Sequence, residues 1–505
     1  MEQVGNTVKK KVNLQECEKY GLEIDRLTIE KDYEGLERYL LQIEQFSVSH
    51  DAPEYAPLFY YLGTGYDVLA DHCRKEGVGV MDATVMKYRK QSFFYMRKAI
   101  DLLKECEKCE TLLLLIYTNY ANSLDACGRV IEALRIYREA IEINPSFGMA
   151  LGNYGRALQF YANTVNDPGH YKELHCYAYQ AVKCALKIQD VNMHDDAISY
   201  FEKMIEVYET QFDKEILSEP IVHKRYKLGK SDERKYRTWC LENHLFLNPL
   251  NDLINMETAF AHDPLTITHY TEGVNERNGD AKRSVEPPKW FAMLNQLKGE
   301  YIYSRFLCFD GSVKLGELHY ADKEVKLSLA SYDYVNYSIR LEELKSAFKN
   351  LFSIFDQIAF FINEFWKLNF KEHDADAEHV FKCECYPKDN VALLALYWSY
   401  CEFWERFGDA KSASERKLKN LRNALEHKYV KVHEYAYQGP FKIEDDRFYH
   451  ISEDELRSCA MRLLELSREW IMELVYAVGI EESKKDNGEE IIHLDIVDYD
   501  DEWKR

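Results

Sequence analysis

No stretch of the 505-residue chain approaches the roughly eighteen apolar residues that a membrane span needs, and the run from Leu112 to Ile116 is far too short. The first eleven residues carry basic side chains but no apolar core, so no secretory signal is expected. Cysteine is sparse in pattern: thirteen residues are scattered without an even framework, which implies reduced thiols in a large intracellular protein. Positive charge is also in deficit, with 65 Lys and Arg against 86 Asp and Glu and a formal net charge of −21. An acidic surface repels phosphate at long range, which excludes indiscriminate nucleic-acid binding and confines any such site to a local basic patch. The expectation is a cytoplasmic protein with no membrane association.

What is present suffices for two or three domains: 46% of the residues are hydrophobic and 30% are charged. The residues divide into an N-terminal helical-repeat region, 1–210; a connector, 211–289; a C-terminal bundle, 290–480; and an acidic tail, 481–505.

In the first region, Tyr117-x2-Tyr120-Ala121-x2-Leu124 is followed by Ala133, Tyr137, Ala140 and Pro145. The next segment begins the same way, with Leu151-x2-Tyr154-Gly155-x2-Leu158, 34 residues on. A third match lies upstream at Phe59-x2-Leu62-Gly63-x2-Tyr66. Small residues (Gly63, Ala121, Ala133, Gly155) let paired helices approach closely while aromatics fill the gaps, and each repeat buries its face only by stacking on neighbours. The pattern resembles the tetratricopeptide (TPR) repeat in both signature and period. That resemblance implies a concave surface for a protein or peptide partner.

The connector is punctuated by Pro220, Asn248-Pro249, Asp263-Pro264 and Pro287-Pro288, with a polar stretch from Thr271 to Ser284. Trp239, Asn243, His244, Phe246 and Asn248 form an aromatic-polar cluster, best read as an anchor of the connector against the C-terminal bundle. Farther on, apolar residues recur at three- and four-residue steps from Arg340 to Phe370, and helices are expected over Trp290–Leu307, Val391–Phe407, Ala413–Tyr429 and Glu453–Val478. Ser452 with Glu455 forms a capping box before the last of these. The whole chain therefore reads as all-α: helical-hairpin repeats, then a helical bundle.

Within that bundle, Lys411 to Lys431 holds seven basic side chains against two acids, in contrast to the tail, where Glu481 to Arg505 holds ten acids against four bases. Arg416, Lys417, Lys419, Lys428 and Lys431 are the candidate RNA-contacting cations, and the tail is expected to be solvated rather than folded over them. The same window contains Arg422-Asn423-x3-His427. Histidine suits proton transfer near neutral pH, and the planar guanidinium of arginine suits a phosphate. Positions 422 and 427 lie about 140° apart around an ideal helix, so either Arg422 swings toward His427 or the helix ends near His427, whereas Asn423 and His427 share a face.

A helical bundle carrying Arg-polar-x3-His late in the chain resembles the HEPN family of RNases, toxins and nucleotide-binding domains. TPR-like repeats ahead of such a bundle resemble proteins of bacterial toxin–antitoxin and antiphage systems. The resemblance implies a metal-independent endoribonuclease with Arg422, Asn423 and His427 as catalytic residues. It also implies a homodimer in which two protomers complete the site. A different class of function, a non-catalytic TPR adaptor whose bundle only dimerises or binds a nucleotide, is the alternative. No cofactor or metal is expected: His373, His379, Cys383 and Cys385 offer suitable ligands, but Cys-x-Cys is not a usual zinc-knuckle spacing and the neighbouring acids indicate a solvated loop.

Overall fold

The computed structural model describes residues 11–77, 79, 82–107, 109–188, 190, 193–214, 217, 221–223, 226–267, 289–314, 318–327, 335–404, 414–434 and 447–484. Pro220, the polar stretch Thr271–Ser284, Pro287-Pro288 and the acidic tail beyond Lys484 lie outside the described residues. Contacts divide the described residues into two compact units, one formed by residues up to 163 with 171–221, the other by 164–170 with residues from 222 onward.

The first unit is a succession of helices: α1 (Leu14–Ile29), α2 (Tyr33–Ser49), α3 (Ala56–Lys75), α4 (Ala83–Leu103), α5 (Glu110–Asp125), α6 (Val130–Ile143), α7 (Gly148–Thr164), α8 (Pro168–Lys187) and α9 (Asp195–Gln211). Local chemistry sets several ends. Asp32 and Asp82 cap α2 and α4 by accepting from the amides of Gly35 (2.9 Å) and Thr84 (2.8 Å). Asn144-Pro145 stops α6, because proline disfavours helix in the residue before it. Helices α3 and α4 pack as a pair, as do α5 and α6. Close approach needs glycine at one crossing in particular: a Cβ at Gly155 would stand 2.6 Å from Val182 Cγ2. Tyr120, Tyr137, Tyr161, Tyr179 and Tyr208 are buried between the helices. These hairpins are consistent with TPR-like repeats.

The second unit contains α10 (Ser231–Glu242), α11 (Lys289–Val313), α12 (Ile339–Phe365), the short α13 (Ala377–Lys382), α14 (Val391–Trp404), α15 (Ser414–His427) and α16 (Glu453–Lys484). Helices α11, α12 and α16 pack on one another and α14 packs on α16. The apolar stripe of α12, from Leu341 to Ile362, is buried along its length, as is the α16 run from Trp470 to Val478. Trp470 lies at the centre, its ring 4.5 Å from that of Phe355 and its Nε1 donating to Ser399 Oγ at 2.8 Å. Ser452 starts α16: its Oγ accepts from the Glu455 amide at 3.1 Å while its own amide donates to the Glu455 carboxylate at 3.3 Å.

Two buried arginines secure the segment before α11. Arg305 on α11 donates to both oxygens of Asp263 (2.9 and 2.8 Å), to Leu245 O (2.8 Å) and to Tyr236 Oη (2.9 Å). Arg468 on α16 donates to Asp252 (2.7 and 3.1 Å) and to the carbonyls of Phe246 (2.6 Å) and Asn248 (3.0 Å). The aromatic-polar cluster therefore belongs to the core of the second unit, with Trp239 against Phe309 at 5.6 Å.

Two local features depart from expectation. The helix expected to reach Tyr429 ends at His427, and Tyr429–His433 forms β1, paired in parallel with β2 (Phe448–Ser452). Tyr-Val-Lys-Val-His alternates β-branched and polar residues with period two, and Val432 enters the core, so pairing outweighs helix continuation. The fold remains all-α apart from this ribbon and a bridge between Val335 and His433, among the described residues. Second, thiols were expected to be reduced throughout, yet Cys383 and Cys385 are joined in a disulfide. The turn that closes α13 brings their Cα atoms to 5.2 Å, within bridging range.

Candidate functional site

Helix α15 is placed by its apolar spacing. Leu418, Leu421 and Ala424 are buried, which turns the remaining positions toward the surface. The side chain of Arg422 is one-third exposed and that of His427 is 72% exposed, so the last turn of α15 presents its polar residues to solvent.

Arg422 Nη1 lies 3.0 Å from Glu426 Oε2 and donates to Asn423 Oδ1 at 3.3 Å. Its guanidinium carbon stands 5.6 Å from the Phe352 ring centroid on α12, within cation–π range. Glu426 Oε2 is also 3.7 Å from His427 Nε2. Glu426 is therefore the junction: arginine and histidine, which do not share a helix face, meet on the same carboxylate. Of the residues singled out from the sequence, Asn423 contacts Arg422, and Arg422 and His427 each approach Glu426, all on the last turn and a half of α15.

Asp356, one turn beyond Phe352 on α12, was not foreseen. Its carboxylate accepts from the Ala377 amide at 3.1 Å. Burial raises its pKa above the usual carboxylate range; Asp376 and Glu426 add to the shift, while the Ala377 amide and Arg422 oppose it. The guanidinium thus sits among carboxylates, in a setting that holds it in place when no phosphate is bound. The signal that could have found Asp356 was an acid set within an otherwise apolar stripe.

The five expected RNA-contacting cations do not lie on one element. Lys417 is exposed on α15 and acts electrostatically on Cys459 of α16, and Lys419 on Glu378 of α13. Lys428 is exposed at the bend after α15, and Lys431 lies on β1 with its ammonium 4.3 Å from the Phe448 ring centroid. The side chain of Arg416 lies outside the described residues, as does Lys411.

The sulfurs of Cys383 and Cys385 are bonded to each other, His379 Nδ1 is 2.8 Å from Asp376 Oδ1, and His373 Nε2 is 3.3 Å from Asp374 Oδ2. No group of three or more His, Cys, Asp and Glu side chains converges on a metal-sized site among the described residues. In the first unit, a groove of about 360 Å³ opens between α1, α3 and α5, with Asp25, Tyr60, Tyr61, Leu115 and Asn119 in its lining.

Comparison with known families matches residues 281–481 to the LA2681-like HEPN model, a stretch that contains α11 to α15, all but the last three residues of α16 and every residue of the α15 cluster. No curated protein and no solved structure matches the chain. The match suggests a nuclease-like or RNA-related role for residues 281–481. No helix among the described residues is long and apolar enough to cross a membrane.

Proposed function

From the premise that residues 281–481 form a domain of the LA2681-like HEPN family, we propose that the protein is an endoribonuclease that cuts RNA by attack of a ribose 2′-hydroxyl on the adjacent phosphorus. The supporting observation is the convergence of Arg422 and His427 on Glu426 at the exposed end of α15. In the reaction an imidazole takes the 2′-hydroxyl proton as the new P–O bond forms. A guanidinium holds the phosphorane oxygens, and the bond to the 5′-oxygen breaks as that oxygen receives a proton. The products are a 2′,3′-cyclic phosphate and a 5′-hydroxyl.

A base and an acid are both needed, and each protomer supplies one motif histidine. Two copies of the α15 strip facing each other would supply two imidazoles and two guanidiniums, so the homodimer is part of the mechanism. The side chains provide proton transfer and charge neutralisation themselves, and the proposal needs no metal. Asn423, which accepts from Arg422, fixes the guanidinium plane. Lys417, Lys419, Lys428 and Lys431, with Arg416, draw RNA to an otherwise acidic protein. The N-terminal hairpins and their groove bind a regulatory protein or peptide, as expected of a toxin or antiphage effector.

The test is RNA end mapping with the wild type and the His427→Ala and Arg422→Ala proteins. Cyclic-phosphate ends that appear with the wild type, persist in chelator and vanish in both variants are the expected result. Equal cleavage by His427→Ala overturns the proposal. Assembly with partners but no cleavage under any condition would favour the adaptor.

A further inference from the structure

The ribbon that follows α15 carries a row of side chains that the cleavage chemistry does not use. In a strand successive side chains alternate between faces, so Tyr429 and Lys431 share one face of β1. The register pairs Tyr429 with Phe448 and Lys431 with His450, which places all four on that face. The contacts agree: the Tyr429 and Phe448 rings are 5.9 Å apart at 36°, and the Lys431 ammonium is 4.3 Å from the Phe448 centroid. His450 continues the row, its Nδ1 2.9 Å from Nε2 of the buried His433.

Tyr429 is 73% exposed, although the ribbon end beneath it is pinned. Val432 is in the core, the Tyr429 amide donates to Arg447 O at 3.0 Å, and Asn336 donates to Val432 O at 2.8 Å. An exposed aromatic on a fixed backbone loses little entropy when another flat group covers it. It is also only two residues beyond His427, at most about 7.6 Å between Cα atoms. Lys428 and Lys431 add positive charge to this end of a chain whose net charge is −21.

We infer that the Tyr429–Phe448 face is a stacking platform for an unpaired base of the RNA bound at the α15 site. Bases in a duplex keep their faces against one another and cannot reach such a platform, whereas a base in a loop or free strand can leave its stack and lie on the ring. Because Tyr429 follows His427 by two residues, a base held there keeps its neighbouring phosphates near the end of α15. The inference rests on the ribonuclease reading of the same site but adds a base-binding subsite and the residues that form it.

The full chain carrying His427→Ala, which keeps RNA intact, is titrated against a fluorescent single-stranded RNA and against the same strand annealed to its complement. Adding Tyr429→Ala is expected to weaken single-strand binding roughly 10- to 100-fold and duplex binding little. Tyr429→Phe, which keeps the ring, is expected to bind like the parent. Unchanged single-strand affinity in Tyr429→Ala overturns the platform, as does equal loss for both RNAs, failure of the Phe variant to bind, or absence of RNA binding by the parent. The readout is affinity. Ring-dependent binding without wild-type cleavage would sink only the catalytic reading, and cleavage without ring dependence would sink only the platform.

Discussion

The Arg422 guanidinium and the Glu426 carboxylate, one helical turn apart, are paired at 3.0 Å, and the same carboxylate is 3.7 Å from the His427 imidazole. Glu426 thereby competes with phosphate for both partners. A partly exposed pair of this kind is weak, on the order of 1 kcal/mol or less, so RNA can displace it. Glu426→Gln is expected to raise RNA affinity several-fold and to leave the fold intact, as read by anisotropy titration with a cleavage-silent RNA. Weaker binding in the variant would mean that Glu426 positions the arginine instead of masking it.

The buried Arg468–Asp252 pair links α16 to the segment before α11, with both side chains almost wholly inaccessible. Removing one partner strands the other charge in the core, so Arg468→Met and Asp252→Leu should each cost about 3–5 kcal/mol. The double variant should recover a large part of that loss. Denaturant melts of the three proteins provide the check, and additive losses would show that the pair is not coupled.

His175 on α8 is buried among aromatic rings, its Nδ1 3.0 Å from Tyr208 Oη, and burial lowers its pKa to about 4. The folded state therefore rejects a proton that the unfolded chain accepts from about pH 6.5 downward. Stability is full above that pH and falls as pH drops toward 4, by up to about 3 kcal/mol from this group. His175→Leu should flatten that slope for the N-terminal unit, measured by hydrogen exchange in α8 and α9 between pH 7 and 4.

Asp356 gives the opposite sign. Its pKa is raised by burial, with the Ala377 amide and Arg422 opposing, so the folded state favours the protonated carboxyl and loses stability as pH rises through the raised value. Asp356→Asn keeps an acceptor for the Ala377 amide and removes the buried charge. Its melting temperature should exceed that of the wild type at pH 7, with the difference shrinking at pH 4. A lower melting temperature at pH 7 would show that the attraction to Arg422 outweighs desolvation.

A site completed by two chains makes activity depend on concentration. Specific activity should fall on dilution through the range where sedimentation shows dimers separating, and stay constant above it. Constant activity per chain in a demonstrated monomer would rule out the composite site.

Much of the candidate site was legible because it is local. Arg422, Asn423, Glu426 and His427 lie within six residues, and the spacing of Leu418, Leu421 and Ala424 decides which side of α15 faces water. Phe352 and Asp356 were illegible as neighbours of Arg422 because they come from another helix, and helical periodicity says nothing about which helices meet. The β1–β2 pairing was missed for the same reason: Tyr429 to His433 comes directly after a helix without a proline or glycine stop, and only its partner strand makes the extended form favourable.

By itself the sequence determined the helical composition, the capping box at Ser452 and Glu455, the close approach at Gly155 and the basic setting of the α15 strip. All of these depend on backbone propensity, side-chain size or charge within one or two turns. Only the tertiary structure decided that Phe352 and Asp356 flank Arg422, that Arg305 and Arg468 draw residues 236–263 into the C-terminal core, and that Tyr429 meets Phe448. Those outcomes depend on side-chain rotamers and on contacts between segments far apart in the chain, where the energy of a pair exists only once both partners have been brought together.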